Sequence, residues 1–212
     1  MITTLKLAPG IRRATPEDVG SIVGLLTEAF LYSGIGSWLV PRLETRRRAC
    51  GLYSHIRTEH ALTVGWVDVT DDLNSAAFWY PLAEVSELWV PSSDTRLGLV
   101  CGQFMHRFVA LDEAMRRHHP AGNPHHYLAF LAVRPGLQRC GLGTSLLRHH
   151  HAYLDAENIS AYVEAIDPAG RALFHRHDYQ DRHGFQVPDG PQLCPMWRAP
   201  QPDGGAADSA KN

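Results

Sequence analysis

The chain has 212 residues, is 44% hydrophobic and carries a formal net charge of -2, with an isoelectric point near 6.7. That length is enough to bury a full core in one domain, and the near-neutral charge gives no electrostatic basis for binding nucleic acid or an anionic membrane. No apolar run approaches the ~20 residues that span a bilayer, and Met1 to Gly10 lacks the apolar stretch and cleavage site of a secretory leader, so a cytoplasmic location is expected.

The first elements are a short strand at Ile11 and a helix behind it. Thr15 is a suitable N-cap, Pro16 suits the first helical position, and Asp18 supplies the acidic third residue of a near-capping box. Val19, Ile22, Val23, Leu26, Ala29 and Phe30 then recur at helical spacing and predict an apolar face laid on a sheet. Arg42 to Ala61 reads as a second helix whose Arg46, Arg47 and Arg48 splay into solvent. "LTVGWVDV" and "SAAFWYPL", separated by "TDDLN", predict an antiparallel hairpin. Asp94 to His118 predicts one long helix, ended by Pro120, Gly122 and Pro124.

The second half predicts a strand at "HYLAFLAV", a helix from Gly141 to Glu157 and a strand at "SAYVEAI". A short helix near Arg171 to His177 and strands at Phe185–Val187 and Leu193–Arg198 complete it. On the Gly141 helix, His150 falls on the apolar side with Leu146 and Tyr153, while His151 points away. Residues 1–198 are expected to form one domain and the Pro-, Gly- and Ala-rich tail 199–212 to be disordered.

Four scattered cysteines, Cys50, Cys101, Cys140 and Cys194, form neither a CxxC pair nor a zinc ribbon, and reduced, mostly buried thiols are expected. Thirteen histidines include the run His149 to His151, but consecutive helical residues point apart, so no metal site is expected.

Between the apolar strand and the amphipathic helix lies "VRPGLQRCGLG", Val133 to Gly143. Glycines at 141 and 143 admit close backbone approach, and a helix N-terminus behind them offers convergent N–H donors and positive potential. The turn reads as an anion cradle. Neither GxGxxG after a first strand nor GxxxxGK with Ser or Thr is present, which excludes the dinucleotide and P-loop forms.

Gln138, Gly141 and Gly143 match the Q/RxxGxG/A loop of the GNAT superfamily of N-acetyltransferases, which the stretch resembles. Within that superfamily the chain is most similar to the puromycin N-acetyltransferase branch. The likeness is carried by "IRRATPEDV", "AAFWYPLAE", "AVRPGLQRCGLG", "VEAIDPAGRALFHRH" and "VPDGPQLCPMWR". The resemblance implies an α/β (α+β) fold with a mixed, mostly antiparallel central sheet flanked by helices, and transfer of acetyl from acetyl-CoA to a primary amine in a ternary complex. The cofactor loop would comprise Gln138, Arg139, Cys140, Gly141, Leu142, Gly143 and Thr144, with the backbone of Leu131, Ala132 and Val133 along the pantetheine. Cys140 takes a passive role. The implied partner is a small-molecule amine, with neither nucleic acid nor membrane involved, and the protein would be a monomer or homodimer.

Glu164 sits inside an apolar strand, where burial raises a carboxyl pKa, and the branch carries a Glu there, so it is the candidate base. A strand-end carboxylate that faces solvent or pairs with Arg171 is the plain alternative. The family's thiolate-protonating tyrosine aligns with Phe174, and its asparagine with Gly170; phenylalanine has no proton to give. Tyr179 is the remaining candidate donor, with His175 and His177 nearby. Trp38, Phe78, Trp79, Tyr80 and Trp89 are candidates to wall an acceptor pocket. An acyl-CoA-binding module without chemistry and a protein N-acetyltransferase are the competing functions.

Overall fold

The computed structural model describes residues 10–82 and 95–201. Trp89, residues 1–9 and the tail from 202 onward lie outside the described residues. In chain order the elements are β1 (Ile11–Arg13), α1 (Val19–Leu31), α2 (Gly34–Leu39), α3 (Leu43–Val64), β2 (Trp66–Thr70), β3 (Ser75–Leu82) and α4 (Thr95–Cys101). Then follow α5 (Met105–His118), β4 (His125–Val133), α6 (Leu142–Ala156), β5 (Ser160–Ala165), α7 (Pro168–His175), β6 (Gln180–Asp181), β7 (Phe185–Gln186) and β8 (Gln192–Arg198). The strands share one sheet in the order β1-β2-β3-β4-β5-β8-β6, with β7 also on β8; β4–β5 is its parallel pair among the described residues. None of the described helices is long and apolar enough to cross a membrane.

The sheet is buried on both faces, and β3 shows how. Ala76, Phe78, Tyr80 and Leu82 pack with Ile22, Leu25 and Leu26 of α1, while Ala77 and Trp79 pack with Leu146, Leu147 and Leu154 of α6. Alternation sends successive side chains to opposite faces. Helices on both sides therefore explain why "SAAFWYPL" is apolar at nearly every position. Each fully buried large side chain of this kind contributes roughly 1.5–3 kcal/mol.

The entry into α1 follows its sequence. Asp18 accepts from the Thr15 N–H at 2.8 Å and from both Arg12 Nη atoms at 2.7 and 2.8 Å, which holds its carboxyl far below the ordinary range. The hairpin forms as expected, although Leu62 to Val64 close α3 rather than open β2.

Four expectations are corrected. Arg46 is buried, not solvated. Its guanidinium donates to the carbonyls of Leu31, Val40 and Pro41 and to Ser37 Oγ at 2.7–2.9 Å, so it satisfies the carbonyls that the ends of α1 and α2 leave open; Arg47 and Arg48 are exposed. His151 is buried as well, with Nε2 3.0 Å from the Tyr179 hydroxyl, because α6 packs against the sheet on one flank and the chain after α7 on another. The helix expected over Asp94–His118 breaks at a 3-10 turn, Gly102–Phe104, where Gly102 takes φ +53°. Of the four free thiols only Cys101 is buried; Cys140 is exposed and Cys50 and Cys194 are half-buried.

Candidate active site

Strands β4 and β5 pair only through His125–Tyr127 and Ser160–Tyr162, after which they separate. A bulge causes the departure. On β3, Phe78 faces Phe130 and Trp79 faces Leu128, so Ala129 is the extra residue, and an extra residue bends its strand. Leu131, Ala132 and Val133 stay paired to β3 on one edge. Their other edge turns its backbone groups into the opening, free for a ligand.

The turn after β4 holds three residues at positive φ: Gly136 (+88°), Arg139 (+62°) and Gly141 (+89°). Gly141 is the N-cap of α6, and no side chain caps that helix. The first N–H groups of an α-helix have no partner inside it. Those of Leu142, Gly143 and Thr144 are thus directed out of the helix, with its positive dipole end behind them. A Cβ on Gly141 would meet nothing within 4 Å, so the space in front of the turn is open. These are the features an anionic diphosphate requires.

A cleft of about 1170 Å³ runs from this turn along the split. Of the expected cofactor residues, Leu131, Ala132, Val133, Gln138, Arg139, Gly141, Gly143 and Thr144 line it, whereas the side chains of Cys140 and Leu142 do not. Arg176 of the α7 end, absent from the sequence reading, joins Arg139 as the second cation on the wall. Its position after the Phe174 segment was visible, but nothing in the sequence tied that segment to the turn.

Glu164 lines the same cleft. Alternation along β5 puts it on the face of Tyr162, two residues earlier. It is 8% exposed, and burial pushes its carboxyl up to about 7, with the hydroxyls of Tyr127 and Tyr162 holding it back from going further. Its Oε1 makes no hydrogen bond among the described residues and lies 4.0 Å from His119 Nδ1. The alternative pairing with Arg171 does not occur: Arg171 binds Asp181 at 2.6 and 2.9 Å.

Tyr179 stands apart from Glu164. It is buried beside Phe174, gives its hydroxyl to the contact with His151, and does not line the cleft; burial drives its pKa far upward. Phe174 and Gly170 do line the cleft, and Asp167 caps α7 by accepting from the Gly170 N–H at 2.7 Å. The expected pocket-wall aromatics are placed elsewhere. Phe78 and Trp79 are fully buried in the sheet, Tyr80 borders a small side cavity, and Trp38 packs on Gly190 with its indole N–H on the Asp189 carbonyl. The cleft's far arm is walled instead by Phe30, Ile35, Tyr53, Phe108, Leu111 and Met115. Among the described residues no group of three His, Cys, Asp or Glu side chains is placed to hold a metal ion.

The fold is shared with known acyltransferases. A structure described as histone acetyltransferase HPA2 and related acetyltransferase, from Corynebacterium glutamicum, superposes with TM-score 0.71 at 23% identity, over 92% of this chain and 98% of the other. Arylalkylamine N-acetyltransferase 2 from Aedes aegypti gives 0.57 at 11% identity, over 90% and 98%. The ribosomal-protein-S18-alanine N-acetyltransferase from Escherichia coli gives 0.52 at 12%, over 93% and 97%. The sequence model of the acetyltransferase (GNAT) family matches residues 66–179, more than half of the chain. The chain belongs to the GNAT acetyltransferase family, and its mixed, mostly antiparallel sheet flanked by helices is that family's fold.

Proposed function

We propose that the chain transfers the acetyl group of acetyl-CoA to the primary amine of a small, largely apolar acceptor. One observation carries this reading. A single cleft connects the anion cradle, the open edge of β4, the buried Glu164 carboxyl and an apolar arm. In this reading the N–H groups of residues 142–144 hold the pyrophosphate, with Gln138, Arg139 and Arg176 around it. The free edge of Leu131, Ala132 and Val133 takes the pantetheine and thioester. Cys140 contributes backbone only.

The acceptor lies in the apolar arm with its nitrogen toward Glu164. A carboxyl poised near 7 is matched to taking a proton from an ammonium at neutral pH, which frees the nitrogen lone pair to attack the thioester carbonyl. As the C–N bond forms and the C–S bond breaks, the second proton lost by the nitrogen passes through solvent to the leaving thiolate, since Phe174 occupies the wall where a donor would stand and Tyr179 is turned away. Thiolate is a tolerable leaving group, its thiol having a pKa of about 8.5. The described wall carries just two carboxylates, Glu164 and the capping Asp167, which favours a monoamine with an apolar body over a polyamine or aminoglycoside. The relatives named for arylalkylamines fit that preference, and the quoted sequence pieces favour the puromycin branch. A cytoplasmic site of action goes with acetyl-CoA as donor.

Free-thiol release from acetyl-CoA tests the reading, with aromatic monoamines, aminonucleosides, polyamines, aminoglycosides and N-terminal peptides as acceptors and CoA binding followed by calorimetry. Aromatic monoamines or aminonucleosides are expected to turn over fastest. Phe174 in the wall favours one rival, a CoA-binding module without chemistry. Tight CoA binding with no thiol release from any amine would establish that rival instead.

The cradle has its own test. At φ +89° an L side chain is strained by roughly 1–2 kcal/mol, and its Cβ enters the space reserved for phosphate. Gly141→Ala is expected to raise the KM for acetyl-CoA about tenfold, equivalent to ~1.4 kcal/mol, with kcat and circular dichroism little changed. An unchanged KM would remove the cradle from cofactor binding.

A further inference from the structure

A chain of two buried imidazoles runs from Glu164 to the surface turn before β4. His119 Nδ1 lies 4.0 Å from Glu164 Oε1, His119 Nε2 lies 3.0 Å from His125 Nε2, and His125 Nδ1 lies 2.8 Å from the Asn123 carbonyl. Both rings are buried, at 8% and 3% exposure. Burial lowers the pKa of each, that of His119 to about 3, so both are neutral and each carries one ring proton.

Those protons can be placed. A carbonyl only accepts, so His125 Nδ1 bears the hydrogen that binds Asn123 and its Nε2 is bare. His119 must then donate from Nε2, which leaves its Nδ1 bare and facing Glu164. Against a carboxylate, that bare nitrogen sets acceptor against acceptor, in keeping with the 4.0 Å gap and the unsatisfied Oε1. Against a carboxylic acid, it is a hydrogen-bond acceptor. We propose that His119, with its tautomer fixed by His125 and the Asn123 carbonyl, is a positioning residue that receives the hydrogen bond of protonated Glu164 and so keeps this carboxyl a base for neutral pH. The inference rests on the role given to Glu164 above.

The other groups around the pair do not supply this effect. Tyr127 from β4 and Tyr162 from β5 meet the His119 ring edge-on and act on Glu164 in the opposite sense. Arg57, Asp112 and Arg116 share a small cavity with His119, where Arg57 and Asp112 are paired at 3.0 Å. The protonated acid breaks no bond in this arrangement: the proton taken from the ammonium stays on Oε1, bound to His119 Nδ1, until it leaves with the products.

Nitrogen-15 NMR of the imidazoles in the full-length protein reads the tautomers without reference to activity. His119 is expected protonated at Nε2 and bare at Nδ1, and His125 the reverse; a proton on His119 Nδ1 in the wild type overturns the proposal. His125→Phe releases His119 to turn its N–H toward the carboxylate. The Glu164 ionisation, followed by carboxyl carbon-13 shift and by the acid limb of kcat/KM, should then fall by about one pH unit or more. His125→Gln restores an acceptor for His119 and is expected to return the wild-type inflection. If the carbon-13 titration is unmoved in His125→Phe, the proposal fails. If it moves while no amine is turned over, the proposal stands for the carboxyl and the transferase reading fails.

Discussion

Glu164→Gln is expected to lower kcat by 10²- to 10⁴-fold, the range a positioned general base commands. The substitution keeps the shape of the side chain and removes its basicity. It also removes a buried charge whose Oε1 has no partner, so the variant should fold at least as well as the wild type. Activity in the wild type should rise with pH through an inflection near about 7 as the carboxyl ionises, when rates are compared at constant ammonium concentration. The Gln variant should lose that inflection. Its KM for acetyl-CoA should hold, because the cradle lies at the other end of the cleft. A variant retaining more than half of wild-type kcat would take Glu164 out of the chemistry.

Acidification should begin to destabilise the protein at about pH 6.5, before ordinary carboxylates are neutralised. His119, His126 and His151 are pushed down to about 3 by burial, against about 6.5 in an unfolded chain. Between those values the unfolded state binds protons that the folded state refuses. Stability is therefore complete above about 6.5 and is lost as pH falls, at up to ~1.4 kcal/mol per histidine per pH unit. Glu164 works the other way. Its folded pKa is raised, so its contribution is present below the unfolded value of about 4.3 and disappears as pH rises through about 7. Three groups against one leave a net loss.

For a domain at the low end of ordinary stability, about 5–7 kcal/mol, a net loss of ~2.7 kcal/mol per pH unit puts the acid midpoint between about pH 4 and 5. His126 illustrates why refolding the network around a proton is costly. It bonds His150, which in turn bonds Asp68 at 2.9 Å, while the His150 ring is stacked 4.1 Å from Trp79 in the core. Urea titrations at pH 7.5, 6, 5 and 4.5 measure the slope; a denaturation midpoint that stays flat across that series would show that these imidazoles titrate normally.

The sequence by itself determined whatever depends on neighbours along the chain. The β2–β3 hairpin, the Asp18 cap, the two long strands and α6 follow from periodicity and turn chemistry, which act over a few residues. The cradle is of the same kind: Gln138, Gly141 and Gly143 fall on one turn, so their spacing declares the function of the loop. Glu164 could be singled out because an acid inside "AYVEAI" contradicts its surroundings, whatever those surroundings are.

Only the tertiary structure decided what depends on which surfaces meet. Arg46 lies in a run that looks solvated, and its burial depends on the carbonyl ends of α1 and α2 converging over it. His151 is expected to point away from the apolar side of α6, and it is buried because its ring meets Trp79 of the sheet edge-on and Tyr179 arrives beside it. The split that admits a ligand comes from one bulged residue, Ala129, set by register against β3. His119 stands 45 positions before Glu164, and no local pattern links them. Burial and long-range hydrogen bonding are properties of packed pairs, and a linear pattern records only one member of each pair at a time.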